Sequence, residues 1–398
     1  MKLMKLKILF AILFIYELLI SPVIILITLL SRCVTKKYDI GVGPDPLINN
    51  VYHKASLIGV GYKTFTFVDR VYYITDKFDL LFFKKGKFYQ YLYQIFFISY
   101  FYVLFNSKCI YIYFNGGPLR SNPFFWRFEP FLYKIAGVKV VVMPYGSDVQ
   151  LLDRTSNLLL KDAYFNDYPN HRLKYCKQSK RLVMWTKYAN HVISGCDWVD
   201  YMYHWDTLMV SHFSIDLNMY STFGEQEPIK NDIFTIVHAP NHRTIKGTEY
   251  IIKAVENLQK KGHEIELILI EKMSNDNVLK AIRNADLVVD QLIIGWYAMF
   301  AIEAMVAHKP TVCFLRQDLL NFYRAKNLIE LNDPPLINLN TENFEEGLEV
   351  FINDRDLLAS YAKRSFEYVS RVHSIESIGE KFKQINNTLG IKIRHEIN

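Results

Sequence analysis

The sequence predicts an α/β protein with two doubly wound domains that face a cleft, preceded by an apolar N-terminal segment. Three observations support this prediction. Short β-branched runs alternate with amphipathic segments between residues 234 and 315. A second set of strand-like runs, several ending in glycines, occupies residues 38–216. The chain has 398 residues, of which 51% are hydrophobic, and this is enough for two separate cores.

The C-terminal half opens with a strand, a polar loop and a helix. The run that ends at Val237 stops at residues 238–247, a loop dense in side-chain donors, and Thr248 is a plausible N-cap for the helix that follows. Further strands are predicted at residues 266–270, 287–290 and 311–315, with helices between them. Parallel sheets of this kind bind ligands beyond the carboxyl ends of their strands. The loops at residues 238–247 and 290–300 therefore form the candidate ligand site.

These two loops have the chemistry to bind an anion such as a diphosphate. The turn near Trp296 to Met299 should present free backbone N–H groups at a helix start, where the helix dipole also favours negative charge. Arg243 and Lys246 would supply mobile positive charge. Glu303 lies among apolar neighbours and could accept from ribose hydroxyls, although a surface helix carboxylate is the alternative.

This segment resembles the donor domain of GT-B glycosyltransferases of the large retaining nucleotide-sugar family (glycosyl transferases group 1, family 4-like). Their signature is E-x7-E, which ends in Glu-Ala-Met before a Gly-Lys-Pro turn. Residues Glu303-Ala304-Met305 and Lys309-Pro310 match it. The first Glu falls on Gly295 and the Gly of the turn on His308, and Ala298 stands where many relatives have Gly.

The resemblance implies roles for individual residues. In that family a Lys-Gly-Thr turn and a preceding basic residue hold the diphosphate, which places Lys246 and Arg243 there. Asp290 could take over the sugar contact of the missing Glu. An Asp-Gln pair followed by Gly-Trp-Tyr occurs among bacterial surface-polysaccharide enzymes, which this chain resembles over most of its length after Tyr38. The expected donor-binding residues are His238, Asn241, Asp290, Gly295, Trp296 and Tyr297.

The N-terminal half carries the candidate acceptor residues. A strand followed by Gly41-x-Gly43 and a helix begins at Tyr38. In GT-B enzymes the corresponding loop faces the acceptor, so Gly43, Asn50 and His53 are candidates for acceptor binding. For Asn50 and His53 a capping or core role is the alternative.

Two Gly-rich strand ends follow, at residues 115–118 and 144–148. Asp148 completes a Gly-Ser-Asp that matches the family's N-domain pattern, and we expect it to orient an acceptor hydroxyl or to cap a helix. With Arg243, Lys246 and Glu303 it makes up the set of candidate catalytic residues. Further strands are predicted at residues 64–68, 80–83, 110–114, 138–143 and 191–194, and an apolar helix at residues 88–105.

The N-terminal segment is a candidate membrane anchor. Residues 8–30 are apolar except for Glu17, Ser21-Pro22 and Thr28, and basic residues flank both ends. Such a run can span a bilayer, and no small-residue cleavage pattern follows it. The balanced flanking charge leaves the orientation open. A single span with Met1 outside is the first choice, and a re-entrant hairpin kinked at Pro22 is the alternative, because a glutamate in lipid is expensive.

The resulting domain organisation has five parts: a membrane anchor (1–37), an N-terminal acceptor-binding Rossmann-like domain (38–216), a linker (217–232), a C-terminal nucleotide-sugar-binding Rossmann-like domain (233–372), and a C-terminal helix and tail (373–398). The last helix should cross back to the first domain, as it does in relatives. The Asp354-Arg-Asp356 sequence imitates a metal motif, but its position at a helix start predicts capping.

Composition narrows the class of partner. The net charge of +7 permits nucleic-acid or membrane contact, and scattered Lys and Arg without a nucleic-acid module favour the membrane. Five widely spread cysteines fit a reducing compartment, and their spacing matches no usual zinc framework. We therefore expect no metal, no cofactor beyond the nucleotide sugar as substrate, and no nucleic-acid partner.

Together these features predict a membrane-associated glycosyltransferase with cytoplasmic catalytic domains at the inner or plasma membrane. It would move a sugar from a nucleotide-diphosphate donor to a lipid-linked or surface-polysaccharide acceptor. The resemblance implies retention of configuration without a metal, whereas inversion would need a carboxylate or His of the N-terminal domain, such as Asp148 or His53, as a base. A sugar-nucleotide epimerase or hydrolase of the same fold, and a non-catalytic binding protein, are the alternatives.

Overall fold

The computed structural model describes residues 2–71, 75–82, 94–220 and 233–393, with side chains from residue 8 onward. Two parallel sheets form the centres of two domains. The strands of the first sheet are Tyr38–Val42 (β1), Thr64–Val68 (β2), Leu80–Leu81 (β3), Ser107–Tyr113 (β4), Lys139–Met143 (β5), His191–Ser194 (β6) and Thr207–Leu208 (β7). The strands of the second are Phe234–His238 (β8), Ile265–Leu269 (β9), Leu287–Gln291 (β10) and Thr311–Cys313 (β11).

Helices flank both sheets. Those that precede the second sheet are Lys2–Leu30 (α1), Asn49–Gly59 (α2), Ile98–Asn106 (α3), Glu129–Ala136 (α4), Leu158–Asp167 (α5) and Tyr175–Tyr188 (α6). Those that follow β8 are Arg243–Lys246 (α7), Thr248–Lys260 (α8), Asn275–Arg283 (α9), Met299–Val306 (α10), Gln317–Ala325 (α11), Phe344–Asn353 (α12), Arg355–Val372 (α13) and Ile375–Thr388 (α14).

The strand order locates the ligand-binding edge of each sheet. The first sheet runs β3-β2-β1-β4-β5-β6-β7 and the second β11-β10-β8-β9, with parallel pairing throughout the described strands. The order therefore reverses between β1 and β4 and between β8 and β10. Crevices at such reversal points, beyond the carboxyl ends of the strands, are where doubly wound sheets bind ligands. The predicted α/β class with parallel sheets is confirmed.

The strands are apolar because helices cover both faces of each sheet. Ile236, Val288 and Val312 are fully buried in the second sheet, as are Ile112 and Val142 in the first. Near-continuous apolar runs of this kind are typical of strands that are buried on two sides.

The chain returns to the first domain at its C-terminal end. Helix α14 packs against α2, and a Cβ at Gly379 would come within 2.6 Å of the Ser56 carbonyl oxygen. Glycine therefore permits this close crossing. The Tyr111 hydroxyl donates to Asn386 Oδ1 at 3.0 Å and ties the helix to β4.

Most expected elements are present, with shifts at their ends that are usual for element boundaries. The loop at residues 238–247 contains a helical turn, α7, that the sequence analysis missed. Thr248 is the first residue of α8 rather than its N-cap, and Asp354 caps α13 by accepting from the Leu357 amide at 2.8 Å. Residues 221–232 of the expected linker, and the first part of the expected helix at residues 88–105, lie outside the described residues.

The apolar N-terminal segment forms one continuous helix, with Pro22 inside it, so the alternative of a hairpin kinked at Pro22 is wrong. Residues Ile8–Cys33 are long and apolar enough to cross a membrane, with a mean hydropathy of 2.6. Glu17, which sits in the middle of this helix, is buried against the first domain.

Candidate functional site

The two loops that the sequence singled out meet at the reversal point of the second sheet. Lys246 Nζ lies 2.6 Å from Asp290 Oδ1, which joins the turn after β8 to the end of β10. The Leu292 amide also donates to the Lys246 carbonyl at 3.1 Å. The Asp290 carboxylate is fully buried, whereas 13% of the Lys246 side chain is exposed. The ammonium group is therefore held at a fixed place on the edge of the cleft.

The start of α10 supplies backbone donors beside this pair. In the part of the chain that the structure describes, the amides of residues 296–298 have no hydrogen-bond acceptor. They stand just before the first turn of a helix, where unpaired N–H groups and the helix dipole favour an anion. The loop that leads there depends on Gly295, whose φ of +93° is in the left-handed region.

The space beside Gly295, where the first Glu of the E-x7-E signature falls, is already filled. A Cβ at this position would lie 2.6 Å from Arg316 Cδ, because the Arg316 side chain crosses over the glycine. Arg316 Nη1 continues to Asp200 Oδ2 in the first domain at 2.5 Å. An interdomain ion pair therefore fills the space beside Gly295, and a donor could contact this residue only through its backbone.

Trp296 and Tyr297 were expected to bind the donor, but their side chains point into the core. Trp296 is 2% exposed and stacks with Tyr297 and Tyr323. The Tyr297 hydroxyl bonds to the Tyr368 hydroxyl at 2.6 Å and to His373 Nε2 at 2.9 Å. The Tyr297 hydroxyl is satisfied inside the core, whereas Trp296 Nε1 is buried without a hydrogen-bond partner among the described residues. Both side chains pack in the core, and donor binding by Trp296 and Tyr297 stays a prediction.

Arg243 lies at the rim of the site. Its Nε is 2.9 Å from Glu249 Oε1 and its Nη1 is 3.5 Å from Glu271 Oε2. The side chain is 41% exposed, so this guanidinium is mobile compared with Lys246 and weakly held by its carboxylates. Binding to a diphosphate would require it to leave these partners. Asn241, another expected donor residue, is exposed in the loop before α7.

Glu303 is buried in α10, and Asn275 Nδ2 donates to its Oε1 at 2.7 Å. The pKa of Glu303 is raised to about 7. Burial is the largest cause, the Asn275 hydrogen bond opposes it, and the Asp290 charge acts in the same direction as burial. Burial also raises the pKa of Tyr52 in α2, and the Glu303 charge adds to that shift. The carboxyl group thus faces the first domain. A cavity of about 500 Å³ lies between Tyr52 and the loop that carries Asn275.

His238 was expected to contact the donor, but both of its ring nitrogens are already used inside the protein. Nδ1 is 2.7 Å from the Val289 carbonyl oxygen and Nε2 is 2.9 Å from Thr248 Oγ1. Burial lowers the pKa of this imidazole to about 4, so the ring stays neutral at pH 7. His238 positions β10 and the start of α8, and its contact with the donor stays a prediction.

The candidate acceptor residues are likewise interior. A Cβ on Gly43 would lie 2.0 Å from the Phe67 carbonyl oxygen, so packing alone requires the glycine. Asn50 is fully buried, donates to the Asp45 carbonyl at 2.6 Å and accepts from the Tyr113 hydroxyl at 2.8 Å. His53 is fully buried against His212, and burial lowers its pKa well below the usual value. These contacts agree with the alternative interpretation of Asn50 and His53 as core residues, and their role in acceptor binding stays a prediction.

Asp148 joins the two Gly-rich strand ends of the first sheet. Its carboxylate accepts from the backbone amides of Phe114, Tyr145 and Gly146 at 2.9 to 3.0 Å. Burial raises its pKa to about 7, against the effect of these amides. Asp148 is only 2% exposed and shapes the acceptor-side loops through these bonds, and its contact with an acceptor hydroxyl stays a prediction.

The first domain contacts the turn that carries Lys246. The Ile245 amide donates to Asp167 Oδ2 at 3.2 Å, and the Tyr168 hydroxyl lies 2.5 Å from His242 Nε2. Asn157, which caps α5, donates to the Ile293 carbonyl at 2.7 Å. Both donor-side loops therefore rest on α5 and its ends. A cavity of about 980 Å³ lies on the other side of α5 and is lined by residues that include Asn115, Tyr145, Gln150, Lys161, Tyr164 and Tyr168.

Sequence reasoning missed the partners that hold this site together. Asn275, Asn157 and Arg316 lie far along the chain from the residues they contact, and no local pattern marks them. Among the residues that the structure describes, no group of three or more His, Cys, Asp or Glu could hold a metal ion.

Two parallel sheets facing each other, a polar site where the second sheet reverses its strand order, and a last helix that returns to the first domain define the GT-B fold. No protein-family model matches this chain, and no curated protein matches it. Solved structures do match. The Anabaena protein Alr3699/HepE in complex with UDP and glucose has a TM-score of 0.58 at 12% identity, over 89% of this chain and 100% of that one.

Two further matches show the same fold. The Anabaena protein in complex with UDP-glucose has a TM-score of 0.54 at 11% identity, over 88% of this chain and 99% of that one. An alpha-glucosyltransferase in complex with UDP and a 13-mer DNA containing an HMU base has a TM-score of 0.56 at 11% identity, over 89% of this chain and 100% of that one. At this level of identity the likeness establishes a shared fold.

Proposed function

We propose that this protein is a glycosyltransferase that moves a sugar from a nucleotide-diphosphate donor to a lipid-linked or surface-polysaccharide saccharide at the cytoplasmic side of a membrane. The observation that carries the proposal is the Lys246–Asp290 pair beside the start of α10. Departure of a nucleoside diphosphate develops negative charge on the leaving phosphate. A fixed ammonium group and a helix start are groups that stabilise such charge in a transition state.

The donor would lie across the edge of the second sheet. Its diphosphate would contact Lys246 and the amides of residues 296–298, and Arg243 would swing in from the rim. Glu303, whose second oxygen is free of the Asn275 bond, would accept from ribose hydroxyls. Matching proteins that were solved with UDP or UDP-glucose make UDP-sugars the first donors to test.

The surroundings of the two alternative bases support retention of configuration. Asp148 is bound by three backbone amides, and His53 is fully buried. Neither faces the cleft, so neither is placed to deprotonate an acceptor as inversion would require. In the retaining reaction the leaving phosphate takes the proton of the acceptor hydroxyl on the same face of the sugar. Lys246 and Arg243 would carry the charge without a metal, and EDTA should leave turnover unchanged.

The acceptor would enter from the first domain. The cavity of about 980 Å³ lies at the carboxyl ends of β4 and β5, since Asn115 and Tyr145 line it. Its tyrosines and polar side chains are suited to stacking and hydrogen bonding with sugar rings. One matching protein was solved with DNA, but scattered positive charge here favours a saccharide acceptor, and DNA serves as a competitor in the test.

The test uses the purified full-length protein with a panel of UDP-sugars, with and without a lipid extract that contains polyprenyl-linked saccharides. We expect release of UDP and transfer of label to lipid only when the extract is present, with the anomeric configuration preserved in the NMR spectrum of the product. Conversion of a UDP-sugar to its epimer without UDP release would identify an epimerase. Hydrolysis without an acceptor would identify a hydrolase, and binding without turnover would leave a binding protein.

A further inference from the structure

Helix α1 rests on the first domain along one stripe of its surface. The buried residues of this stripe are Glu17, Ile24, Thr28 and Ser31, which recur at intervals of three, four or seven residues. That spacing places them on one face of the helix. One stripe of the helix is therefore in contact with the protein, and the rest of its surface is exposed.

Glu17 and Thr28, polar residues within the apolar run of α1, lie on this protein-facing stripe. Glu17 Oε1 accepts from Asn122 Nδ2 at 2.9 Å, and Oε2 accepts from the Phe124 and Phe125 amides at 2.8 and 3.1 Å. The Thr28 hydroxyl bonds to the Tyr100 hydroxyl at 2.8 Å. A glutamate inside lipid costs free energy. Here both carboxylate oxygens of Glu17 accept hydrogen bonds from the first domain.

The opposite face of α1 is apolar. Its exposed large side chains are Ile8, Leu9, Phe10, Ile12, Ile15, Leu18, Leu19, Val23, Ile25, Leu26, Leu29 and Leu30. A helix on the surface of a water-soluble domain has the reverse pattern, with its apolar side inward. Polar residues inward and apolar residues outward indicate that the surroundings of this helix are hydrocarbon.

The apolar surface continues onto the domain and is bordered by cations. Phe124 contacts Phe14 at 5.5 Å and Phe128 at 4.8 Å between ring centroids, and Phe128 and Phe131 are exposed. Exposed Arg127 and Lys134 lie in the same segment. Arg32 follows the helix, and Lys2, Lys5 and Lys7 precede the apolar run. Positive charge around an apolar surface is complementary to anionic lipid headgroups.

The docking excludes a span in which α1 stands alone in the bilayer. The contacts from Glu17 to Ser31 cover about 21 Å of helix at 1.5 Å per residue. The hydrocarbon core is ~30 Å thick, so an upright α1 would draw the segment from Asn122 to Lys134 into lipid. Arg127 and Lys134 would then be buried in hydrocarbon without carboxylate partners among the contacts described here.

We propose that α1 is a monotopic membrane element: it stays docked on the first domain through Glu17 and Thr28 and inserts its outer face into one leaflet of an anionic bilayer. This proposal rests on the proposed function and specifies how the protein would associate with the membrane. Its tests measure flotation and sidedness, so they can fail while sugar transfer stands. Both ends of the chain then lie on the cytoplasmic side, and the cleft is held at the leaflet surface where a lipid-linked acceptor resides.

The first test is flotation of the full-length protein with vesicles of phosphatidylcholine alone or mixed with phosphatidylglycerol. We expect stronger flotation with the anionic mixture. The double variant Leu19→Asp, Leu26→Asp should lower the floating fraction on the order of tenfold, since two charges then face lipid. The matched control is Leu158→Asp, Leu173→Asp, which changes two leucines that are 73% and 75% exposed away from α1 and should float like the wild type.

Equal loss in both double variants, or a wild type that does not float but elutes as a dimer with α1 covered, would overturn the proposal. The second test places a protease-cleavable tag at each end of the chain in bacterial cells. Docking on one leaflet predicts that both tags are cut in inverted membrane vesicles and that neither is cut in spheroplasts. Cleavage of the N-terminal tag alone in spheroplasts would show that α1 crosses the membrane.

Discussion

Lys246 Nζ and Asp290 Oδ1, 44 residues apart in the chain, lie 2.6 Å apart at the point where the second sheet reverses its strand order. Asp290 is fully buried at the end of β10, so it fixes the ammonium group in place. A cation that is held before its ligand arrives need not be ordered during the reaction, which is the basis of electrostatic preorganisation.

The Asp290→Asn variant tests whether the negative charge of Asp290, which offsets the Lys246 charge, or its support of the site dominates UDP binding. The amide keeps the size of the side chain but loses the ion pair, so we expect lower thermal stability and UDP affinity that is equal to or tighter than wild type, because the Lys246 charge is then uncompensated. Differential scanning fluorimetry and calorimetric titration with UDP measure the two effects. If UDP binding weakens by tenfold or more in a folded Asp290→Asn variant, the carboxylate supports binding, either by holding Lys246 in place or by a contact of its own with the nucleotide.

Glu303 should make stability depend on pH. Burial raises its pKa to about 7 from 4.5, so the folded protein holds a proton that the unfolded chain releases between these values. The contribution of this group to stability therefore falls as pH rises through that window. Replacement by Gln should be more favourable at about pH 8 than at about pH 5, by at most about 3 kcal/mol. Urea unfolding of both proteins at the two pH values tests this, and an identical difference at both would contradict it.

Asn157 should hold the two domains together. The Asn157→Asp variant keeps the oxygen that accepts from the Leu160 amide but can no longer donate to the carbonyl groups of Ile293 and Ile294. We expect near-normal thermal stability, a larger radius of gyration in small-angle scattering, and weaker UDP binding. Asn157→Ala, which also loses the cap, should in addition cost about 1 kcal/mol of stability. Scattering curves identical to wild type for both variants would show that these bonds do not set the domain arrangement.

Glu17 should stabilise the docked helix. Glu17→Leu leaves Asn122 Nδ2 and the amides of Phe124 and Phe125 without their acceptor, so we expect the unfolding free energy to fall by about 3 kcal/mol. Thermal unfolding in a single detergent measures the change. Leu19→Ala is the control, because Leu19 is 73% exposed on the outer face and should have little effect. A Glu17→Leu protein as stable as this control would mean that α1 is not docked in solution.

The architecture could be predicted from the sequence because local hydrophobic patterns determine the strands and helices. Apolar runs gave the strands, including Thr64–Val68 and His191–Ser194 at their observed bounds, and their alternation with helices predicted two parallel sheets. The positions of the Lys246 turn and the Asp290 strand end followed from the same rule, since the carboxyl ends of parallel strands share one edge.

The roles of individual side chains were harder to predict, because a motif places a residue in the chain but does not say which way its side chain points. His238 and Tyr297 stand at the right loops, yet their polar atoms bond to Val289, Tyr368 and other residues that no local pattern links to them. Glu17 illustrates the same limit. A glutamate within an apolar run predicts a high free-energy cost in lipid. The hydrogen bond from Asn122, which is distant in sequence, shows instead that this side chain faces the first domain.

Calorimetric titration of UDP into wild type, Lys246→Met and Lys253→Met tests the central claim most directly. Lys253 is an exposed lysine on the next helix and serves as the matched control. Loss of a charge-assisted contact to the diphosphate should weaken the Kd for UDP by about tenfold to a hundredfold in Lys246→Met, while Lys253→Met binds like wild type. A folded Lys246→Met protein with the wild-type Kd would show that this ammonium group does not hold the nucleotide diphosphate.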